Sequence, residues 1–397
     1  MTPTGPVDYA IVGGGLQGCL LAHALAWHRP DAAVWLIERA DEICGNHTWS
    51  FHETDVAEGA RPWFDPLVTH RWPGYRVRFP GLSRRVGIPY ATISAEGLRD
   101  ATLRLTLPSQ DSRDRRPLVV QTRMACEILS PTSLRCGDGV TIDCGAVIDC
   151  RGRAATAEAV GGVGYQTFIG HEYRTARRWP AAEPTVMDVR EDQAGGFEFL
   201  YELPFGDDRV LLEYTRFHED PTCDEPRALE LISGRLSEAG IDSPELIRTE
   251  RGCLPMPYAA PERREGPSPA GGYAGGWYHA ATGYSMPLAI RFAELVARSR
   301  PDRLGGELAA AAARDAMRRG FARFLNRLLF CLVMPEDRWR IFRRFYAVLP
   351  EDRIARFYGH RFNAADATRI ILGRPPTRLA PLRFARSFFP ISRPGFA

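Results

Sequence analysis

The run Gly13-Gly14-Gly15-Leu16-Gln17-Gly18 constrains the fold of this chain more than any other stretch. It fills the three fixed positions of G-x-G-x-x-G, and its flanks supply the context that gives the pattern meaning. Residues 8–12 (DYAIV) read as a buried strand. Residues 15–27 read as a helix with Leu16, Cys19, Leu20, His23, Ala24 and Trp27 on one face, and residues 33–38 (AVWLIE) as a second parallel strand. His23 in that stripe reads as a packed core histidine, not a ligand. Glu38 closes the second strand twenty residues after Gly18. In such a βαβ unit Gly13, Gly15 and Gly18 permit a tight turn and close backbone approach to a pyrophosphate, the helix start offers free N–H groups, and Glu38 accepts from ribose hydroxyls. The motif alone does not choose between FAD and NAD. FAD is favoured by its N-terminal position in a long chain, by Arg39 after the acid, and by a later apolar strand (GAVID) ending at Asp149 before Cys150-Arg151-Gly152.

Composition removes several chemistries. All 51 basic residues are arginine, so the chain contains no lysine. A P-loop and a pyridoxal-phosphate Schiff base both need one, as does the catalytic lysine of flavin halogenases. The nine cysteines are odd in number and include no C-x-x-C, which argues against a disulfide framework or a zinc site and for a reducing compartment. No metal is expected. The N-terminus lacks a basic segment before an apolar one, so no signal peptide is expected, and no apolar run approaches the ~20 residues of a membrane span.

The remaining chain divides by pattern. Residues 41–90 read as irregular, 94–106 as a helix capped by Ser94, and 117–150 as several short strands. Four strand-like runs fill 165–217. In one of them Phe197, Phe199, Tyr201, Leu203 and Phe205 alternate onto one face, giving an aromatic wall, whereas Glu198 and Glu202 fall on the other face and are expected in solvent. Residues 225–239 read as a helix, 252–259 and 264–276 as connections, 285–300 as a helix with Ser285 as N-cap and Pro287 in its first turn, and 307–397 as largely helical. The predicted fold is α/β. A Rossmann-type FAD-binding domain (1–60, 84–164 and 250–306) carries an antiparallel-sheet substrate domain (61–83 and 165–249) and a helical C-terminal region (307–397).

The chain resembles the bacterial lycopene β-cyclase family of flavoproteins. The resemblance rests on DYAIVGGGLQG (8–18), NHTWSFH (46–52), FLYELPFGDDRVLLEYT (199–215), GCLPMP (252–257), ATGYSMPLA (281–289) and RIILGRPP (369–376), which run almost from end to end. It implies a redox-neutral closure of lycopene ψ end groups into β-ionone rings, with γ-carotene and then β-carotene as products. It also implies bound FAD in its reduced form, with NAD(P)H as the reductant. Protonating an alkene needs a positioned, desolvated carboxylic acid. Glu213, in the apolar run RVLLEYTRF, matches the family's essential glutamate. Many relatives carry a second acid after it where this chain has Tyr214, which alternation puts on the opposite face. Aromatic faces would support the cation, and Phe197, Phe199, Tyr201 and Trp49 are the candidates, with His47 and His52 nearby. Gly283, Tyr284, Ser285 and Met286, at a helix start, are placed against the flavin ring, where the helix dipole would hold an anion. The alternative reading is an FAD-dependent monooxygenase or polyprenyl reductase acting on a lipophilic substrate.

Lycopene is insoluble, so its enzyme must meet a membrane. From Arg318 onward the chain has 17 arginines against five acids, and the last 80 residues hold 14 aromatics. The stretch RWRIFRRFYAVL (338–349) suits an interfacial helix on anionic lipid. Peripheral attachment at the inner face of a bacterial cytoplasmic membrane is the expectation. Nucleic-acid binding, which the same composition would suit, conflicts with the flavoprotein N-terminus.

Overall fold

The computed structural model describes residues 5–108, 115–137, 139–152, 162–190, 193, 196–259, 266–373, 377 and 379–386. Strand β1 (Val7–Val12), helix α1 (Leu16–His28) and strand β2 (Val34–Ile37) form the opening βαβ unit. The next segment is more ordered than its Trp, His and Pro content suggested. It holds β3 (Thr48–His52), the short α2 (Arg61–Phe64), β4 (His70–Trp72), β5 (Tyr75–Phe79), β6 (Leu82–Val86) and β7 (Tyr90–Ser94). The irregular reading failed because these strands are three to five residues long, too short for alternation to register. Helix α3 (Ala95–Arg104) follows, with the Ser94 hydroxyl accepting from the Gly97 N–H. Then come β8 (Val119–Gln121), β9 (Cys126–Ser130), β10 (Ser133–Cys136), β11 (Thr141–Asp149), β12 (Val163–Arg174), β13 (Thr185–Asp188), β14 (Phe197–Pro204), β15 (Arg209–His218), α4 (Glu225–Glu238) and β16 (Glu245–Pro257). The C-terminal part is helical: α5 (Met286–Arg298), α6 (Leu304–Arg314), α7 (Ala316–Arg327), a π-helical turn (Leu328–Leu332), α8 (Arg338–Val348), α9 (Glu351–Tyr358), α10 (Ala364–Ile371) and α11 (Pro381–Arg386).

Three sheets organise these elements. The first has the order β8-β2-β1-β11-β10-β9, with β8, β2, β1 and β11 parallel. Strands β1 and β2 are almost wholly buried because helices cover one face and the β9–β10 hairpin the other. His23 is buried there against Thr102 at 3.2 Å, and burial pushes its pKa down to about 3, so it is a neutral core residue. The second sheet, β16-β12-β15-β14-β13-β5-β6, is mainly antiparallel, with the β13–β5 pair parallel. The third is the small β3-β7-β4 sheet.

The second sheet separates two environments. Its front face joins Phe197, Phe199 and Leu203 to aromatic side chains of β5, β7, α8 and α9. Its back face is covered by α4. Glu198 and Glu202 lie under that helix, 3% and 2% exposed, and not in solvent as alternation suggested. Arg227 pairs with Glu198 at 2.7 Å and Arg235 with Glu202 at 2.9 Å, while Trp179 Nε1 donates to Glu202 at 2.7 Å. Eight residues separate the two arginines, so α4 presents both to the same strand. Tyr214 also belongs to this back face, its hydroxyl donating to Glu198 at 2.8 Å.

Helix α8 is not a surface helix of free arginines. Arg338 is fully buried and paired with Glu219. Arg343 donates to the Pro80 carbonyl at 2.9 Å and Arg344 to that of Ile370 at 2.8 Å. Arg340 is exposed, pairs with Asp337 and covers Trp339. Arg338 and Arg343 tie the helix to the second sheet, and Arg344 ties it to α10. No helix among the described residues is long and apolar enough to cross a membrane.

Candidate active site

A cavity of about 660 Å³ runs from the glycine turn across the front of the second sheet to α8 and α9. At its first end Gly13 has φ +111°, and a Cβ there would lie 2.6 Å from the Cys150 backbone. Gly18 packs as closely, since its Cβ would meet the Gly13 carbonyl oxygen at 2.0 Å. Gly15 differs, because a Cβ there meets no protein atom within 4 Å and the residue opens onto the cavity. Two of the three motif glycines therefore hold the turn together, and the third leaves room for a ligand. The Glu38 carboxylate stands at the cavity edge, accepting from the N–H groups of Gly14 (2.7 Å) and Ala40 (2.9 Å). Arg39 is exposed and is not among the lining residues. Asp149 is engaged elsewhere. Its carboxylate takes Arg151 Nη2 at 2.7 Å and the Arg151 N–H at 3.0 Å, so it caps the end of β11.

Gly283, Tyr284, Ser285 and Met286 line the middle of the cavity where α5 begins. The turn is closed by the His279 N–H donating to the Tyr284 carbonyl at 2.7 Å. Ser285 holds the N-cap position, yet its side chain does not cap the helix; its hydroxyl interacts with Tyr273. The Tyr284 hydroxyl donates to Asp55 at 2.6 Å and accepts from the His52 N–H at 3.2 Å. Burial and the Asp55 charge hold this phenol well above its usual pKa, so it stays neutral.

Glu213 lies on β15, facing the cavity. Across the sheet it is opposite Tyr201 on β14 and Gly170 on β12, and Gly170 is opposite Glu250 on β16. Directly opposed residues share a face, so Glu213 and Glu250 point the same way from strands two spacings apart, about 9.6 Å. Gly170 between them has no side chain, and the Glu250 side chain lies over it on the Glu213 side of the sheet, where its charge raises the Glu213 pKa. A Cβ on Gly170 would come within 2.9 Å of Glu250 Cγ.

The two acids are not equivalent. Glu250 is 1% exposed, and its Oε2 accepts from the Thr48 N–H (2.8 Å) and Arg248 Nη1 (2.9 Å). Arg248 is fixed in turn by Glu172 at 2.6 Å. Burial raises the Glu250 pKa, and these donors oppose that rise. Among the described residues no cation pairs with Glu213, and the Thr215 hydroxyl donates to it at 2.9 Å. Burial first, and the Glu250 charge second, push the Glu213 pKa up to about 8. Both carboxyls are raised by burial, and the cation and N–H donors at Glu250 make Glu213 the better seat for a proton held by the pair.

The acid looks into an aromatic chamber. Phe199, Tyr201 and Trp49 line it, with Tyr75, Tyr90, Tyr346 and Tyr358 as further walls. Tyr201 and Tyr90 share a hydroxyl–hydroxyl bond, as do Tyr346 and Tyr358 at 2.9 Å. Burial raises the pKa of all five tyrosines, so the rings face the chamber as neutral phenols. Phe197 lies one layer behind the wall, fully buried and stacked on Phe342 at 4.3 Å. His47 lines the chamber, its pKa lowered by burial and then by Arg248; His52 donates to or accepts from Tyr75 at 3.1 Å. Among the described residues, no group of three or more His, Cys, Asp or Glu side chains is placed to hold a metal ion.

Sequence reasoning missed Glu250, Gly170 and four of the tyrosines. Glu250 was hidden because Gly252, Pro255 and Pro257 made its segment look like a connection, whereas β16 is an edge strand, where proline is tolerated. Gly252 and Leu254 line the cavity, and the alternation that puts Glu250 on the same face of the strand was the available signal.

Comparison with known proteins agrees with this architecture. A lycopene β-cyclase of Pseudescherichia vulneris is 36% identical over 97% of this chain and 99% of its own length. One from Pantoea ananas is 35% identical over 93% and 95%. Among solved structures, a flavoprotein/dehydrogenase from Cytophaga hutchinsonii superposes with a TM-score of 0.59 at 12% identity, covering 89% of this chain and 93% of that one, which places the fold among the flavoproteins. The family model described as lycopene cyclase protein matches residues 8–384, and the chain belongs to that family.

Proposed function

We propose that this protein is a lycopene β-cyclase and that Glu213 is its proton donor. The observation that carries the reading is the Glu213–Glu250 pair. It keeps one carboxylic acid protonated near neutrality inside a chamber of aromatic rings. Glu213 would give its proton to the end-group alkene, leaving a tertiary cation. The second alkene of the end group attacks that cation to close the ring, and loss of a neighbouring proton forms the product alkene. One proton enters and one leaves, so the reaction has no net oxidation. Tyr201, Tyr90 and Phe199 put neutral aromatic rings on the chamber wall, an environment that stabilises a cation without capturing it as a strong nucleophile would.

The residues present fit FAD. The turn from Gly13 to Gly18 and the start of α1 would take its pyrophosphate, and Glu38 its ribose. The α5 start at Tyr284, Ser285 and Met286 would face its ring system. When bound in reduced form, FAD supplies negative charge beside the cation; NAD(P)H is the proposed source of its electrons. Gly15→Val tests the placement. Its backbone is extended (φ −77°, ψ −169°) and its Cβ direction is open, so we expect an unchanged fold with loss of bound flavin, read by absorbance after gel filtration. Retained flavin would refute it.

Peripheral membrane contact is part of the proposal. It is supported by the apolar substrate and by exposed Ile371, Leu372 and Leu379 at one end of the molecule. The decisive measurement is pigment analysis after expression in a lycopene-accumulating host, paired with anaerobic turnover in vitro. Rings should form with far less than one equivalent of NAD(P)H oxidised per ring. One equivalent per turnover would identify a monooxygenase or reductase instead.

A further inference from the structure

A polyene whose end group sits at Glu213 cannot be contained in the chamber. A conjugated C40 chain is rigid and roughly 30 Å long, about the diameter of a small domain. It must leave through one edge. The glycine-turn end is polar and fits the cofactor. The opposite end is closed by Thr282, Phe342 and Tyr358, and these three residues also line a second cavity of about 290 Å³ between the C-terminal helices.

That second cavity is apolar. Leu325, Leu329, Leu332, Ile341, Phe345 and Ile370 are among its lining side chains. Its one charged lining residue among those described, Arg344, turns its guanidinium onto the carbonyls of Ile370 and Leu372. Leu328, Leu329 and Leu332 belong to the π-helical turn that follows α7. Such turns are rare and cluster at functional sites. At the outer end Ile371 and Leu379 line the groove and are 46% and 42% exposed, beside Leu372 at 60%.

We propose that this groove binds the non-reacting part of the polyene, with Phe342 and Tyr358 as the partition the chain passes and Ile371 and Leu379 as the mouth. The inference rests on the cyclase reading, since it takes the hydrocarbon as ligand. The wall of Thr282, Phe342 and Tyr358 that it shares with the acid chamber commits the groove to that occupant over a peptide or a second copy of the chain.

The test uses the full-length holoenzyme and two substrates: lycopene, and a truncated analogue carrying the same end group on a chain less than half as long. Leu332→Trp fills the groove. Ile371→Asp puts a charge at the mouth, at an exposed position where folding is insensitive to substitution. Both are expected to lower kcat/KM for lycopene about tenfold or more, mainly through KM, because apolar contact area is lost. The analogue, which ends before the partition, should change less than about twofold, a difference of under half a kcal/mol. Equal losses on both substrates, or none on either, would overturn the proposal. So would restoration of lycopene turnover by removing residues 387–397 from the Leu332→Trp variant, which would make the chain's own end the occupant. Direct lycopene binding, followed by its absorption, separates this from failure of the cyclase reading. Weakened binding in both variants supports the groove even if wild type forms no ring, and unchanged binding refutes it.

Discussion

Glu213→Gln should leave lycopene unconverted, with a loss of about 10²–10⁴-fold, the range that a positioned acid contributes. The amide keeps the shape of the side chain and its bond from Thr215, so flavin content and fold should be retained. What disappears is the acidic proton. The same group sets a pH dependence. With its pKa pushed up to about 8, wild-type activity should decline as pH rises through that value. Stability follows the same proton. A carboxyl whose pKa is higher in the folded than in the unfolded chain binds its proton more tightly when folded. Its contribution is fully present below the unfolded value of 4.5 and is lost as pH rises toward and through about 8. Thermal midpoints measured against pH should therefore fall less steeply for Glu213→Gln than for wild type across that window. Parallel curves, or a variant that still forms rings, would remove Glu213 from the mechanism.

The parts of this site that were legible in the sequence are those fixed by local chemistry. The glycine turn, Glu38 and the alternation of Phe199 and Tyr201 each depend on a few consecutive residues. Glu213 was singled out by family resemblance, because a strand glutamate by itself reads as solvent-facing, and alternation put Tyr214 on the other face, where it meets Glu198. The partner acid was not legible. Glu250 meets Glu213 only because β12 separates them with a glycine at the one register position where a side chain would intervene. No feature of residues 245–257 states which strand they will flank. The reading of Glu198 and Glu202 as solvated failed for a related reason. Strand alternation separates two faces but does not say that α4 will cover the second and bring Arg227 and Arg235 to it. In the arginine-rich C-terminal stretch composition could not tell that the fold directs Arg338, Arg343 and Arg344 inward to carbonyls and to Glu219.

Glu250 is assigned as a positioning residue, and Glu250→Gln should shift the pH profile downward and not abolish turnover. Two effects act in the same direction. Removing the Glu250 charge takes away the repulsion that disfavours ionised Glu213, and the new amide can donate to the Glu213 carboxylate. Burial alone then raises the acid, so its pKa drops toward the ordinary range. Each unit of that drop reduces the protonated fraction tenfold at a pH above both values. The variant should thus be strongly impaired above neutrality and recover on the acid side, with the alkaline limb of kcat/KM displaced to lower pH. Arg248 is not left unpaired, because Glu172 still holds it at 2.6 Å, so the fold should tolerate the change. Gly170→Ala should reproduce part of this phenotype without altering any titratable group, since the added Cβ pushes on Glu250 Cγ and parts the two carboxyls. An alkaline limb in Glu250→Gln that coincides with wild type would mean that Glu213 owes its proton to burial alone and that the pairing over Gly170 has no part in catalysis.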